Sequence, residues 1–217
     1  MQTGSTKAVL HRRLQSITAA AFFLAAALAP ASADMIDTSG MEPWEVCALC
    51  HSLDGNSRMA KFPKLAGQRP DYIEKQVRDF HDGNRSNDGG QMQAISTEVA
   101  QTDLSDIATY FSGLTAPAAI LSGGSSEAAA RLFNDGRDDL PACLSCHGQS
   151  DPALPLAPWL EAQHADYIAK QLYDFRDGKR TNDPDGLMQS IARQLTDEDI
   201  QDLAVFIAAQ ERPERTP

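Results

Sequence analysis

The chain has 217 residues, 42% of them hydrophobic, with 19 Lys plus Arg against 30 Asp plus Glu and a formal net charge of −11. That acidity argues against nucleic acid or an anionic bilayer surface as a partner, because both would repel it. It favours partners with a basic docking face.

In chain order, residues 1–33 read as a cleavable signal peptide. Lys7, Arg12 and Arg13 precede an apolar run over 17–28, and Ala31-Ser32-Ala33 offers a small-residue cleavage site before Asp34. The apolar run is too short to read as a membrane span. Cleavage would remove three of the 19 basic residues and no acidic one, leaving 16 against 30 and a formal charge of −14. No later stretch is long and apolar enough to cross a bilayer, so the expectation is a periplasmic protein without stable membrane insertion.

The first expected helix opens near Pro43, suited to an opening turn, and runs into Cys47-Ala48-Leu49-Cys50-His51. A second begins near Pro70, aligns Tyr72, Ile73, Val77 and Phe80 on one side and stops at Gly83. A third starts near Thr102, turns Leu104, Ile107, Ala108 and Phe111 inward and ends near Gly113. Residues 113–126, rich in Gly, Pro and Ser, read as a connector. Beyond it come a helix over 127–133, a polar insertion over 134–139, and Cys143-Leu144-Ser145-Cys146-His147. The second half repeats this helical plan, with Thr196-Asp197-Glu198-Asp199 resembling a capping box before a last helix carrying Ile200, Leu203 and Ile207. No alternating strand pattern appears, and the expected fold is all-α. The expected division is a signal peptide over 1–33, a first domain over 34–114, a linker over 115–125 and a second domain over 126–217.

The two C-x-x-C-H pentapeptides hold all 4 cysteines of the chain, and this spacing is the attachment pattern of c-type haem. Thiols three residues apart on a helical turn can each add to a vinyl group of one porphyrin, and the adjacent histidine then falls under the iron. A disulfide framework or a zinc site are the ordinary alternatives for paired cysteines. Neither explains a histidine directly after both pairs. Two covalently attached haem c groups are therefore expected, held by Cys47 and Cys50 and by Cys143 and Cys146.

The sequence is also a duplication. The run 62–68 corresponds to 157–163, and Asp71-Tyr72-Ile73 to Asp166-Tyr167-Ile168, at an offset of 95. Lys75-Gln76, Asp79-Phe80, Gly83, Arg85 and Asn87-Asp88 recur at the same offset, which becomes 96 after Pro184. The repeat bears on the sixth iron ligand. His51 to Met92 and His147 to Met188 both span 41 residues, whereas His81 aligns with Arg176 and His164 with Arg69. A lone methionine is ordinarily a gap-filling core residue. Two at equal distances from the two histidines point to axial ligation, giving His51 and Met92 on one iron and His147 and Met188 on the other. Such ligation keeps the iron six-coordinate and raises its potential, which suits an electron carrier rather than an enzyme.

Other recurrences stay open at this level. Pro63 and Pro158 follow the histidines by 12 and 11 residues, placing them either to offer a carbonyl to the histidine Nδ1–H or in simple turns. Tyr72, Tyr167, Arg85 and Arg180 suit haem propionates, a contact between domains, or ordinary amphipathic and surface positions.

The two haem motifs, Asp54-Gly55-Asn56-Ser57, the run 62–68, the runs 174–178 and 180–183, and the methionines before Ile95 and Ile191 together resemble the di-haem cytochrome c4 family. The resemblance spans nearly all of residues 41–210. It implies two tandem class I cytochrome c domains with propionate edges facing each other, and periplasmic electron delivery, often to a terminal oxidase. Trp159-Leu160-Glu161-Ala162 departs from the family's tendency toward Lys-Leu-Gly-Gly. The haem subunit of flavocytochrome c sulfide dehydrogenase is similar to this family. The alternative expectation is thus a subunit that accepts electrons from a flavoprotein, with a catalytic di-haem enzyme as a third class.

Overall fold

The computed structural model describes residues 37–120, 126–148 and 154–212. The expected signal peptide and part of the connector lie outside them. Within these residues the chain is helical, and its sole strand-like feature is an isolated bridge between Arg137 and Leu140.

The first half contains α1 (Pro43–His51), α2 (Pro70–His81), α3 (Gln91–Thr97) and α4 (Leu104–Gly113). Pro43 and Pro70 both sit in opening turns, where a missing N–H costs no helical hydrogen bond. At the start of α1, the Glu45 carboxylate accepts from Glu42 N at 2.8 Å, satisfying one of the free N–H groups of the first turn. A short 3₁₀ turn over Gln101–Asp103 leads into α4. α2 packs on α3 and α4, and α1 on α4. Val46, Ile73, Val77, Leu104, Ile107 and Phe111 meet in the core they enclose. Trp44 stacks on Tyr110 with ring centroids 4.9 Å apart, closing the outer side of this core. Full burial of a side chain such as Phe111 or Leu104 is worth roughly 1.5–3 kcal/mol.

The second half repeats the plan with one change. Its helices are α5 (Glu127–Asn134), α6 (Cys143–His147), α7 (Ala165–Arg176), α8 (Leu187–Ala192) and α9 (Asp197–Ala208). The role of α1 is divided between α5 and the five-residue α6. The polar stretch 134–139 and Pro141 interrupt the helix between them, since proline cannot continue the backbone ladder. The core joins Leu132, Phe133, Ile168, Ile200, Leu203, Phe206 and Ile207. Thr196 caps α9 as expected, its hydroxyl accepting from Asp199 N at 3.1 Å while Asp199 accepts from Thr196 N at 2.9 Å.

Two helices were not expected from the sequence. α3 and α8 are only seven and six residues long, too short to show a hydrophobic period. They carry Met92 and Met188 at their second positions.

Candidate cofactor site

α1 presents Cys47, Cys50 and His51 within little more than one turn, and α6 does the same with Cys143, Cys146 and His147. All six residues, with Met92 and Met188, line one cavity of about 1060 Å3 that runs between the two halves. Its walls are largely aliphatic and aromatic, including Val46, Ile73, Phe80, Ile168, Phe175 and Leu203. The four cysteines are not joined in disulfides. Burial pushes the Cys47 and Cys143 thiols up to about 11.

Both histidines are oriented from behind. His51 Nδ1 lies 2.8 Å from the Pro63 carbonyl oxygen, and His147 Nδ1 lies 2.7 Å from that of Pro158. Of the two readings open for these prolines, the carbonyl-presenting one is therefore what the fold adopts. A carbonyl can only accept, so each Nδ1 must carry the hydrogen, leaving Nε2 with a free lone pair for a metal. Burial lowers the pKa of both imidazoles, which favours the neutral form a metal needs. The bond to the proline carbonyl opposes this only in part. Neutral, oriented imidazoles, paired thiols and a methionine in an apolar cavity fit a covalently held haem on each side. His81 stands apart, paired with Asp82 at 2.8 Å, and His164 Nε2 lies 3.0 Å from both Ser57 Oγ and the Ser57 carbonyl.

Around the cavity the halves exchange hydrogen bonds in matched pairs. Gln163 accepts from Lys64 N and donates to Lys64 O, both at 2.9 Å. Gln68 does likewise with Trp159, accepting at 2.8 Å and donating at 3.0 Å. Since Lys64 and Trp159 directly follow Pro63 and Pro158, each half braces the histidine-orienting loop of the other. Arg69 extends this exchange, donating to the carbonyls of Gly148 and Leu154 at 2.7 and 2.9 Å.

The recurring arginines and tyrosines cross the same boundary. Arg85 donates to Tyr167 and Gln171 at 3.2 and 2.9 Å, while Arg180 donates to Tyr72 and Gln76 at 3.3 and 3.0 Å. Each guanidinium also lies 4.5 Å from the ring centroid of a phenylalanine of its own half, Phe80 or Phe175. Burial by itself would raise the Tyr72 pKa, but the charges of Arg180 and Arg85 outweigh it and bring the hydroxyl below the ordinary tyrosine value. All four side chains line the cavity as well, so contact between halves and contact with a cofactor's polar edge are compatible.

Sequence reasoning assigned no role to Gln68, Gln163, Gln76, Gln171, Asn87 or Asn182. Their signal was available in the duplication: polar identities kept at one offset, where solvated positions are free to drift.

The Cytochrome c family profile matches residues 126–211. Cytochrome c4 of Pseudomonas aeruginosa is 41% identical over 180 residues, covering 78% of this chain and 86% of that protein. The thiosulfate dehydrogenase electron acceptor of Stutzerimonas stutzeri is 38% identical over 172 residues, covering 75% of this chain and 77% of its own length. The crystal structure of reduced recombinant cytochrome c4 from Pseudomonas stutzeri superposes with a TM-score of 0.68 at 36% identity, covering 76% of this chain and 94% of that one.

Proposed function

The chain belongs to the cytochrome c4 family, and from that membership we propose a periplasmic electron shuttle in which His51 and Met92 ligate one haem iron and His147 and Met188 the other. It is a di-haem electron-transfer cytochrome with two class I cytochrome c domains and covalently held haem c. We assign the domains to 34–114 and 126–217, with a linker over 115–125 and a cleaved signal peptide over 1–33. Cys47, Cys50, Cys143 and Cys146 are the attachment points.

The observation that carries the ligand assignment is the doubled geometry: an imidazole fixed at Nδ1 by a proline carbonyl, in a cavity whose lining includes a methionine 41 residues further along the chain. When bound, each haem iron takes up or releases one electron. The protein holds the imidazoles in one orientation, excludes water with the apolar walls, and offers a thioether on the remaining side. Met92 and Met188, if they hold the irons together with His51 and His147, would leave no open place for a substrate, which is why a carrier is favoured over a catalyst.

Replacement of Met92 or Met188 by alanine tests the assignment. Each variant should lower the potential of its own haem and weaken the sulfur-to-iron charge-transfer band, and the double variant should lack the band. A band that persists with both methionines replaced would remove the assignment. A pyridine haemochrome measurement should return two haems per chain, and carbon monoxide should bind poorly to the reduced protein.

The acceptor we propose for the shuttle is a terminal oxidase with a basic docking face, since the chain is acidic. One observation favours the second reading, in which the chain serves a dedicated dehydrogenase. Leu49, Leu53 and Met59 are 59–61% exposed beside the first haem motif, an apolar set suited to a docking face, and one relative is named as the electron acceptor of thiosulfate dehydrogenase. A pull-down from periplasmic and membrane extracts at low ionic strength separates the two. Recovery of an oxidase supports the first, and recovery of a flavoprotein or other dehydrogenase supports the second.

A further inference from the structure

The polar exchange between the halves reaches the segments that lead to the two methionines. On α2, Lys75 Nζ donates to the Asn182 carbonyl at 2.6 Å, and Gln76 and Asp79 accept from Asn182 Nδ2 at 3.0 and 2.5 Å. The next residue, Asp183, accepts from Gln189 N at 3.1 Å and Gln189 Nε2 at 3.0 Å, immediately beyond Met188. On α7, Lys170 Nζ donates to the Asn87 carbonyl at 2.5 Å, and Gln171 and Asp174 accept from Asn87 Nδ2 at 3.0 and 2.5 Å. Asp88 then accepts from the backbone N–H of Met92 itself. Both routes therefore run from a helix of one half, through an asparagine and an aspartate of the other, to the start of the short helix bearing the methionine.

Within each half the asparagine side chain receives one further bond, from its own arginine: Arg85 Nε to Asn87 at 2.9 Å and Arg180 Nε to Asn182 at 3.0 Å. Most of the asparagine's hydrogen-bonding capacity is thus met from across the boundary. α3 and α8 are too short to hold their own position by helical propensity. They pack on α2 and α7 of their own halves, and the bonds around Asn87 and Asn182 tie the segments leading into them to the opposite half.

From this geometry we infer that each half seats the methionine of the other: Lys75, Gln76 and Asp79 are positioning residues for Met188, and Lys170, Gln171 and Asp174 for Met92. The inference rests on the methionine ligation proposed above. It makes the contact between the halves a determinant of axial ligation, so that a change at α2 is felt at the second haem rather than at the first alone.

The test uses the full holoprotein with Met92→Ala, in which the remaining sulfur-to-iron band reports Met188. Added imidazole displaces the thioether, and loss of the band gives its apparent affinity. Lys75→Met and Gln76→Ala, in the opposite half from the band, should each tighten imidazole binding by about tenfold, as expected when charged or buried hydrogen bonds are removed. Lys75→Arg, which keeps a donor toward the Asn182 carbonyl, should restore the parental affinity. The mirror set, Lys170→Met and Gln171→Ala read against a Met188→Ala parent, should act on Met92 in the same way. A band present in the parents and unmoved by these substitutions, in variants whose circular dichroism and haem content match the parent, would overturn the seating inference and leave ligation standing. A band missing from both parents would overturn ligation, and with it the inference.

Discussion

Gly67 and Ala162 occupy the same place in the two halves, each just after the loop that orients a histidine, and each with a left-handed backbone, φ +65° and +58°. The turn is held by equivalent bonds, Gly67 N to Phe111 O at 2.8 Å and Ala162 N to Ile207 O at 3.2 Å. An added Cβ at Gly67 would stand 3.2 Å from Ala116, so that neighbour would have to give by a few tenths of an ångström. We expect Gly67→Ala to destabilise the protein by roughly 1–2 kcal/mol, through left-handed strain and crowding. A denaturant midpoint that does not fall would show that the neighbouring chain gives way. The same scale explains why the role of the histidines could be read from the sequence, whereas the duplication marks the glutamines without saying what they bind. His51 and His147 are flagged by adjacent cysteines, a covalent requirement written in four neighbouring residues. Gln68 and Gln163 act on backbone atoms 91 and 99 residues away, and nothing in their local sequence marks the target.

Among the elements, α9 is the most self-sufficient, with both bonds of its capping box in place. Thr196→Ala should cost about 1 kcal/mol, seen as a lowered thermal midpoint. Asp199 serves this cap and also forms a two-pronged pair with Arg137, both bonds at 2.9 Å. Its hydrogen bond from Arg137 is the largest influence on it, outweighing burial, and holds the carboxyl at about 2. Because the folded value lies below the unfolded one of about 4, this contribution is complete above about pH 4 and fades as the pH falls toward 2. Asp199→Asn should therefore flatten that part of the acid unfolding profile while leaving the neutral protein folded. An unchanged profile between pH 4 and pH 2 would mean that the exposed Arg137 end of the pair is too well solvated to contribute. The long amphipathic helices α2, α4, α7 and α9 were legible because burial of one face imposes a period. α3 and α8 were not, since each is set by bonds that arrive from elsewhere in the chain.

For the whole molecule, charge makes the clearest claim. With 30 acidic against 19 basic residues, association with a basic partner should slow as ionic strength rises, because screening shortens the reach of the attraction to about 10 Å at 0.1 M salt. Stopped-flow oxidation by a cationic redox partner across a salt series would show this, and a salt-independent rate would point to docking through the apolar residues near Cys50 instead. The sequence by itself determined the all-α class, the duplication, the four cysteines and two histidines of the attachment motifs, and the paired methionines, because covalent chemistry, helical period and repeat offset are all written in local or regularly spaced residues. Tertiary structure alone decided which carbonyl orients each imidazole and which half supports each short helix. The first is set by how each proline loop folds back on the helix of its own half; the second depends on how two similar surfaces meet, and a hydrogen bond across such a boundary leaves no spacing in the chain from which it could be read.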